Sequence, residues 1–182
     1  MKSLLSRVSS AAVAGAVMLF ATGAFAQAPA AAPPPNPLDV IPEKMPFATP
    51  YGAPISLAKA QAAIAATVAE ATKKGWPLNI AVYDSGANLV TFSRMDGAQL
   101  GSIAISEHKA RTAVKLRRET KVLEGAVQNG LNTILSLDDV IASRGGIPLI
   151  EDGKIIGAIG CSGATGSQDE AACKVGAATI NK

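Results

Sequence analysis

The order of elements predicted from the sequence indicates an α+β fold built around an antiparallel sheet. Two pairs of strand-like apolar segments each flank a stretch of turn residues, a pattern typical of β-hairpins. Helix-forming segments precede, separate and follow these hairpins. Because helices and sheets bury one apolar face each, the order helix, hairpin, helices, hairpin, helix favours a sheet with helices packed on its faces.

The first helix and hairpin are predicted from capping residues and from alternation. Ser56 can cap a helix that runs to about Lys74, and Gly75 followed by Trp76 and Pro77 ends that helix. Apolar side chains then alternate with polar or small ones before and after a turn-forming stretch. The first strand, the turn and the returning strand are residues 78–83, 84–88 and 89–94.

The second half of the chain is predicted to hold helices followed by another hairpin. The helical segments are residues 102–117, residues 120–128 and a single turn at residues 138–142. Two apolar strands, residues 147–151 and 154–160, flank the tight turn Asp152-Gly153. Ser167 and Glu170 form a capping box that predicts the start of the last helix.

Two segments precede this predicted domain, which covers residues 55–182. Residues 1–26 have a basic start, an apolar stretch and the small-residue pattern Ala24-Phe25-Ala26, which together predict a secretory signal peptide. The alternative is an uncleaved anchor, for which the apolar stretch is short. Residues 27–54 are rich in proline and alanine and predict a linker. The expected location is the periplasm or the cell exterior, with no stable membrane insertion after cleavage.

Composition excludes two classes of protein. The 17 basic and 14 acidic residues leave a net charge of +3, too small for a nucleic-acid binder. Cleavage after Ala26 would remove two basic residues, so the mature charge becomes 15 − 14 = +1. One histidine and two cysteines cannot form a four-ligand zinc site without carboxylates.

Charged and glycine-rich segments supply candidate chemistry. Residues 157–170 contain four glycines at a strand-to-helix transition, where backbone amides could face an anion. Residues 109–121 carry six basic side chains, which form either a solvated helix face or a cationic rim that attracts carboxylates. These six are Lys109, Arg111, Lys115, Arg117, Arg118 and Lys121.

The single histidine and the two cysteines each leave two interpretations open. A helical wheel places His108 away from the apolar face, as a solvent-facing residue, and a metal ligand is the alternative. Cys161 and Cys173 could form a disulfide in an oxidising compartment, or remain as free buried cysteines.

Five ordered blocks of the sequence resemble the GlcG/HbpS family, also described as haem-binding or haem-degrading domains and as DUF336. The two clearest blocks lie between Gly145 and Glu170, and they are Gly145-Gly146-Ile147-Pro148-Leu149 and Gly157-Ala158-Ile159-Gly160-Cys161-Ser162-Gly163-Ala164. The other blocks are Val82–Gly86, Arg94–Ala98 and Lys109–Ala113. The resemblance implies a profilin-like, five-stranded antiparallel sheet with helices on both faces, and a homo-oligomer.

The resemblance also implies a small-molecule ligand, with haem as the leading candidate cofactor. The ligand-binding residues expected from the combined motifs are Arg94, Met95, Lys109, Thr112, Gly145, Gly146, Ser162, Gly163, Asp169 and Glu170. Haem-binding relatives are associated with histidines near the start of the domain, and residues 56–74 contain none. The candidate iron ligands that remain are His108, Met95, Tyr83 and the two cysteines.

Three functions fit these observations, and whether the protein is an enzyme is left open. The first is an extracytoplasmic protein that binds a small ligand, most simply haem. The second is an enzyme acting on a small carbonyl compound or hydroxy acid, with Asp169 or Glu170 as general base. The third is a structural oligomer that binds no ligand.

Overall fold

The computed structural model describes residues 40–181, and the fold within that range is α+β. The predicted signal peptide and residues 27–39 of the predicted linker lie outside the described residues. Four α-helices and four strands form in the order expected from the sequence. They are α1 (Leu57–Lys74), β1 (Asn79–Asp84), β2 (Leu89–Arg94), α2 (Ser102–Lys115), α3 (Thr120–Gln128), β3 (Gly146–Glu151), β4 (Lys154–Ser162) and α4 (Gly166–Ala177).

The four strands form one antiparallel sheet in the order β2-β1-β4-β3. The two hairpins therefore meet in the middle of the sheet, where β1 pairs with β4. The expected fifth strand is not present among residues 40–181, because the segment before α1 makes only an isolated parallel bridge between Tyr51 and Ile155. The antiparallel sheet with helices on its faces is confirmed.

Helices cover both faces of the sheet because side chains alternate along β4. Ile159 and Cys161 point into the larger apolar core, which α1 and α4 complete. Ala158 belongs to a smaller cluster on the opposite face, under α2. Gly160 lies on that face too, directly against the backbone of α2.

Gly160 carries no side chain because the backbone of α2 occupies the space where one would lie. A Cβ atom at this position would overlap the carbonyl oxygen of Ser106 and lie 2.6 Å from the amide nitrogen of Ala110. Both obstacles are main-chain atoms, so a rotamer change cannot relieve the overlap. The whole helix would have to move away from β4.

We expect Gly160→Ala to lower the free energy of unfolding by about 1–3 kcal/mol, the usual range for overpacking. Gly125→Ala in α3 is the matched control, since nothing lies within 4 Å of a Cβ atom at Gly125. It should raise stability by up to about 1 kcal/mol through helix propensity. Urea unfolding of both variants measures the difference, and equal stability of the two would contradict the close approach.

Two local predictions were wrong. The capping box of α4 consists of Thr165 and Gln168, because Thr165 is the residue with extended backbone just before the helix. The side chain of Thr165 accepts from the amide of Gln168, so Ser167 is already helical. The helical turn expected at residues 138–142 is not formed, and a short 3₁₀ helix lies earlier, at Asn132–Ser136.

Part of the predicted linker contacts the domain at the end of α2. The hydroxyl of Tyr51 donates to the carbonyl oxygens of Val114 and Lys115, both at 2.9 Å. The guanidinium of Arg118 lies 3.2 Å from the ring centroid of Phe47. The Tyr51 hydroxyl thus supplies a partner for carbonyl groups at the end of α2, and Phe47 packs against a residue that follows this helix.

Candidate functional site

The most buried charged groups of the described chain are Lys109 and Asp169. Lys109 lies on α2 and Asp169 in the first turn of α4, and both side chains are almost fully buried. The Nζ atom of Lys109 lies 2.8 Å from the carboxylate of Asp169. The same ammonium donates to the carbonyl oxygen of Cys161 at 3.1 Å. Lys109 therefore joins α2 to both β4 and α4.

The carboxylate of Asp169 also fixes the loop that leads into α4. Its second oxygen accepts from the amide of Ala164 at 3.0 Å. Burial raises the pKa of the Asp169 carboxyl, while the Lys109 ammonium and the loop amides oppose that rise. Asp169 thus has its strong partners inside the protein and is only 2% exposed.

Gly145 and Gly146 allow the sheet to approach this ion pair. A Cβ atom at Gly145 would lie 3.2 Å from the Nζ atom of Lys109, and one at Gly146 would overlap the carbonyl oxygen of Lys109. Ser162 is buried at the end of β4, and Gly163 has a φ of 151° in the adjoining loop. The lack of room for a Cβ atom, rather than a ligand, accounts for Gly145 and Gly146.

Glu170 lies beside the ion pair but belongs to a surface network. Its carboxylate contacts Lys174 at 2.6 Å, Lys121 at 3.3 Å and Arg144 at 3.7 Å. Burial acts to raise the pKa of Glu170, but hydrogen bonds and charge from Lys174 and Lys121 lower it overall. A carboxylate held ionised by three cations is a poor general base at neutral pH.

The remaining basic residues of the 109–121 cluster are also occupied. Arg111 and Lys115 both bond to Asp139, and Lys121 contacts Glu170. Arg117 lies over the ring of Tyr51 and Arg118 over that of Phe47. Counting Lys109, four of the six cations therefore pair with carboxylates. The cluster does not form a single cationic rim.

His108 and Thr112 both lie on α2, but their side chains contact different residues. The side chain of His108 is 45% exposed, and its Nε2 atom lies 3.9 Å from Asp139. Thr112 is buried and accepts from the amide of Ile141 at 3.0 Å. Within residues 40–181 no group of three His, Cys, Asp or Glu side chains could hold a metal ion.

Cys161 and Cys173 form a disulfide in the structure, with their Cα atoms 5.8 Å apart. Both cysteines are fully buried. The bond joins the end of β4 to the middle of α4, next to the contact between Lys109 and the carbonyl oxygen of Cys161. The end of the sheet is therefore attached to α4 directly by the disulfide, and indirectly through Lys109 of α2, which bonds to both.

An open groove lies between the end of α1 and the end of β2, which we call the α1–β2 groove. It consists of two cavities of about 330 and 380 Å³ that share Thr72, Met95 and Asp96 in their walls. The first cavity adds Ala71, Gly75, Trp76 and Pro77, and the second adds Val68, Ser93 and Arg94. Volumes of this size are typical of sites for small ligands.

A model of the family "Haem degrading protein HbpS-like" matches residues 55–178. The chain belongs to the HbpS-like family. The resemblance inferred from the five sequence blocks is thereby confirmed.

Several proteins share this HbpS-like sequence and fold. Protein GlcG of Escherichia coli K12 is 44% identical over 108 residues, which cover 59% of this chain and 81% of GlcG. The crystal structure of Klebsiella pneumoniae protein ORFY has a TM-score of 0.67 at 30% identity, covering 78% of this chain and 97% of ORFY. The structure titled PduOC:Heme Complex has a TM-score of 0.64 at 29% identity, covering 70% of this chain and 96% of that one.

The structure of this HbpS-like chain separates the predicted site residues into two groups. Arg94 and Met95 line the α1–β2 groove. The others lie in or beside the ion pair or on α2, and they are Lys109, Thr112, Gly145, Gly146, Ser162, Gly163, Asp169 and Glu170. Asp169 and Glu170 do not line the groove, so the geometry gives no support to their proposed role as general bases.

Sequence analysis missed the helix side of the groove. In the sequence, Trp76 and Pro77 indicate only the end of α1, and Thr72 and Val68 are ordinary helix positions, yet all four line the groove. One signal was available, because Trp76 is the only tryptophan in the chain and directly follows a helix. A large aromatic ring at a helix end is suited to line a binding surface.

Proposed function

We propose that this HbpS-like protein binds haem in the α1–β2 groove. The observation that carries the proposal is the groove itself, which combines apolar side chains with one exposed arginine. Two further findings support it. The matching family is described as haem-degrading, and a relative of similar fold has been solved as a haem complex.

The groove residues fit the chemistry of haem. Trp76, Pro77 and Val68 offer apolar surface for a flat porphyrin. Arg94 can pair with a propionate, since guanidinium groups bind carboxylates through two parallel hydrogen bonds. Met95 adds a polarisable thioether in both cavities. When bound, haem would supply the iron, and these side chains would hold and orient it.

Thr72→Trp should abolish saturable haem binding, because Thr72 lines both cavities and an indole there fills the groove. Lys73→Trp is the matched control, since Lys73 is exposed on the same helix and lines neither cavity. Titration of the mature chain with hemin, followed by its Soret band, measures both variants.

The proposal requires that wild type and Lys73→Trp saturate at micromolar protein while Thr72→Trp does not. Absence of a saturable shift in the wild type would remove haem as the ligand and favour the ligand-free structural role. Equal binding by the two tryptophan variants would place haem elsewhere. Light scattering on the same samples would test the homo-oligomer, which stays a prediction.

We also propose that the protein works outside the cytoplasm, in the periplasm or after secretion. The signal-peptide pattern of residues 1–26 supports this location. A buried disulfide is consistent with it, because disulfides persist in oxidising compartments. Within residues 40–181 no helix is both long enough and apolar enough to cross a bilayer.

A further inference from the structure

We propose that Met95 supplies the iron ligand of the α1–β2 groove, so that the groove binds ferrous haem more tightly than ferric haem. This inference rests on the proposed function and adds to it a ligand atom and a preferred oxidation state. It starts from the position of Met95, which is shared by both cavities.

The backbone of Met95 is fixed on both sides. Its amide donates to the carbonyl oxygen of Leu78 at 3.0 Å, and its own carbonyl accepts from the amide of Ala98 at 3.1 Å. The side chain is partly buried and packs on the larger core. Met95 is therefore held at the end of β2, between the two cavities, without depending on a bound ligand.

The other candidate iron ligands are located elsewhere or are chemically unavailable. His108 lies beside Asp139 on α2. Tyr83 is 5% exposed, and its hydroxyl accepts from Arg111. Cys161 and Cys173 are joined in the disulfide and provide no thiolate.

Within the described groove, three kinds of donor could reach an iron. Met95 offers a soft thioether sulfur, and thioethers are established ligands of haem iron. Asp96 offers an exposed carboxylate, a harder ligand, and Thr72 and Ser93 offer neutral hydroxyls. Soft ligands favour the lower oxidation state, and methionine ligation raises the reduction potential of haem. If Met95 binds the iron, ferrous haem must be preferred, whereas ligation by Asp96 predicts the opposite.

The test compares wild type with Met95→Leu, a change that keeps nearly the same volume but removes the sulfur. Each full mature chain is titrated with ferric haem, with ferrous haem under a reductant, and with metal-free protoporphyrin. We expect Met95→Leu to bind metal-free protoporphyrin as wild type does. We expect it to lose about tenfold in ferrous affinity and to lose the spectral signature of a sulfur-ligated iron. Lys73→Leu is the control, because Lys73 is exposed and lines neither cavity, and it should leave both ferrous properties unchanged. Asp96→Asn removes the rival carboxylate ligand and should retain the spectral signature of a sulfur-ligated iron.

Met95→His provides a second variant, since an imidazole at the same position should also reach the iron. It should restore iron ligation, with a nitrogen-ligated spectrum and stronger ferric binding than Met95→Leu. Identical ferrous spectra in wild type and Met95→Leu would overturn the inference, as would loss of the signature in Asp96→Asn. If metal-free protoporphyrin itself does not bind to the wild type, the proposed function fails instead.

Discussion

Replacement of Lys109 by methionine is expected to lower the free energy of unfolding by about 3–5 kcal/mol. Methionine keeps an unbranched side chain, one atom shorter than that of lysine, but leaves the carboxylate of Asp169 buried without its cation. It also removes the hydrogen bond to the carbonyl oxygen of Cys161. Urea unfolding monitored by circular dichroism measures the loss. Lys59→Met is the matched control, because the Lys59–Glu151 pair is exposed and such pairs contribute about 0–1 kcal/mol.

A double variant separates loss of the pair from loss of packing. Lys109→Met combined with Asp169→Leu removes both charges, so no buried charge is left uncompensated. Replacing a buried pair by apolar residues is often close to neutral, and we expect the double variant to be more stable than either single one. If Lys109→Met costs no more than Lys59→Met, the ion pair does not exist as described.

Removal of the disulfide is expected to be the second large effect. Cys161→Ala combined with Cys173→Ala should lower the free energy of unfolding by about 2–4 kcal/mol. The bond closes a loop of 12 residues in sequence separation and restricts the unfolded chain. Alanine at both positions avoids leaving a buried hydroxyl. Guanidinium unfolding of the purified mature chain measures the change.

Thiol titration provides the control for that experiment. Wild type unfolded without a reductant should give no reactive thiol, because these are the only two cysteines in the chain. Two free thiols per chain, together with unchanged stability of the double alanine variant, would contradict the bond. Wild type unfolded in excess reductant should match the double variant.

The fold could be predicted from local patterns, since each hairpin carried its own turn residues and α1 carried its own caps. The cap of α4 shows where such patterns are insufficient. The fifth strand was implied by the family resemblance, whereas the local patterns predicted the four strands that form. The segment around Tyr51 was expected to be part of a linker, and only its contacts with Ile155 and α2 reveal how it is held. Thr165 and Ser167 are both acceptable caps, and backbone conformation selects between them.

The site was harder to predict because its chemistry depends on distant contacts. Lys109 appeared as one of six basic residues on a helix face, and nothing nearby in sequence reveals its burial. Its partner Asp169 is 60 residues away. Likewise, Trp76 and Met95 share a cavity only because α1 ends where β2 ends. Arg94 and Met95 are adjacent in the sequence, so their shared position could be predicted. The groove that they line could not.

The contact between α2 and Gly160 implies that the two faces of the sheet differ in mutational tolerance. On the face of the sheet that α1 and α4 cover, side chains fill the space between the sheet and the helices. One substitution there can be offset by another. At Gly160, main chain meets main chain, and no second-site change can restore room. Libraries that reshape the α1–β2 groove should therefore vary its exposed positions, such as Thr72, and keep Gly160 invariant as a fixed reference for the sheet.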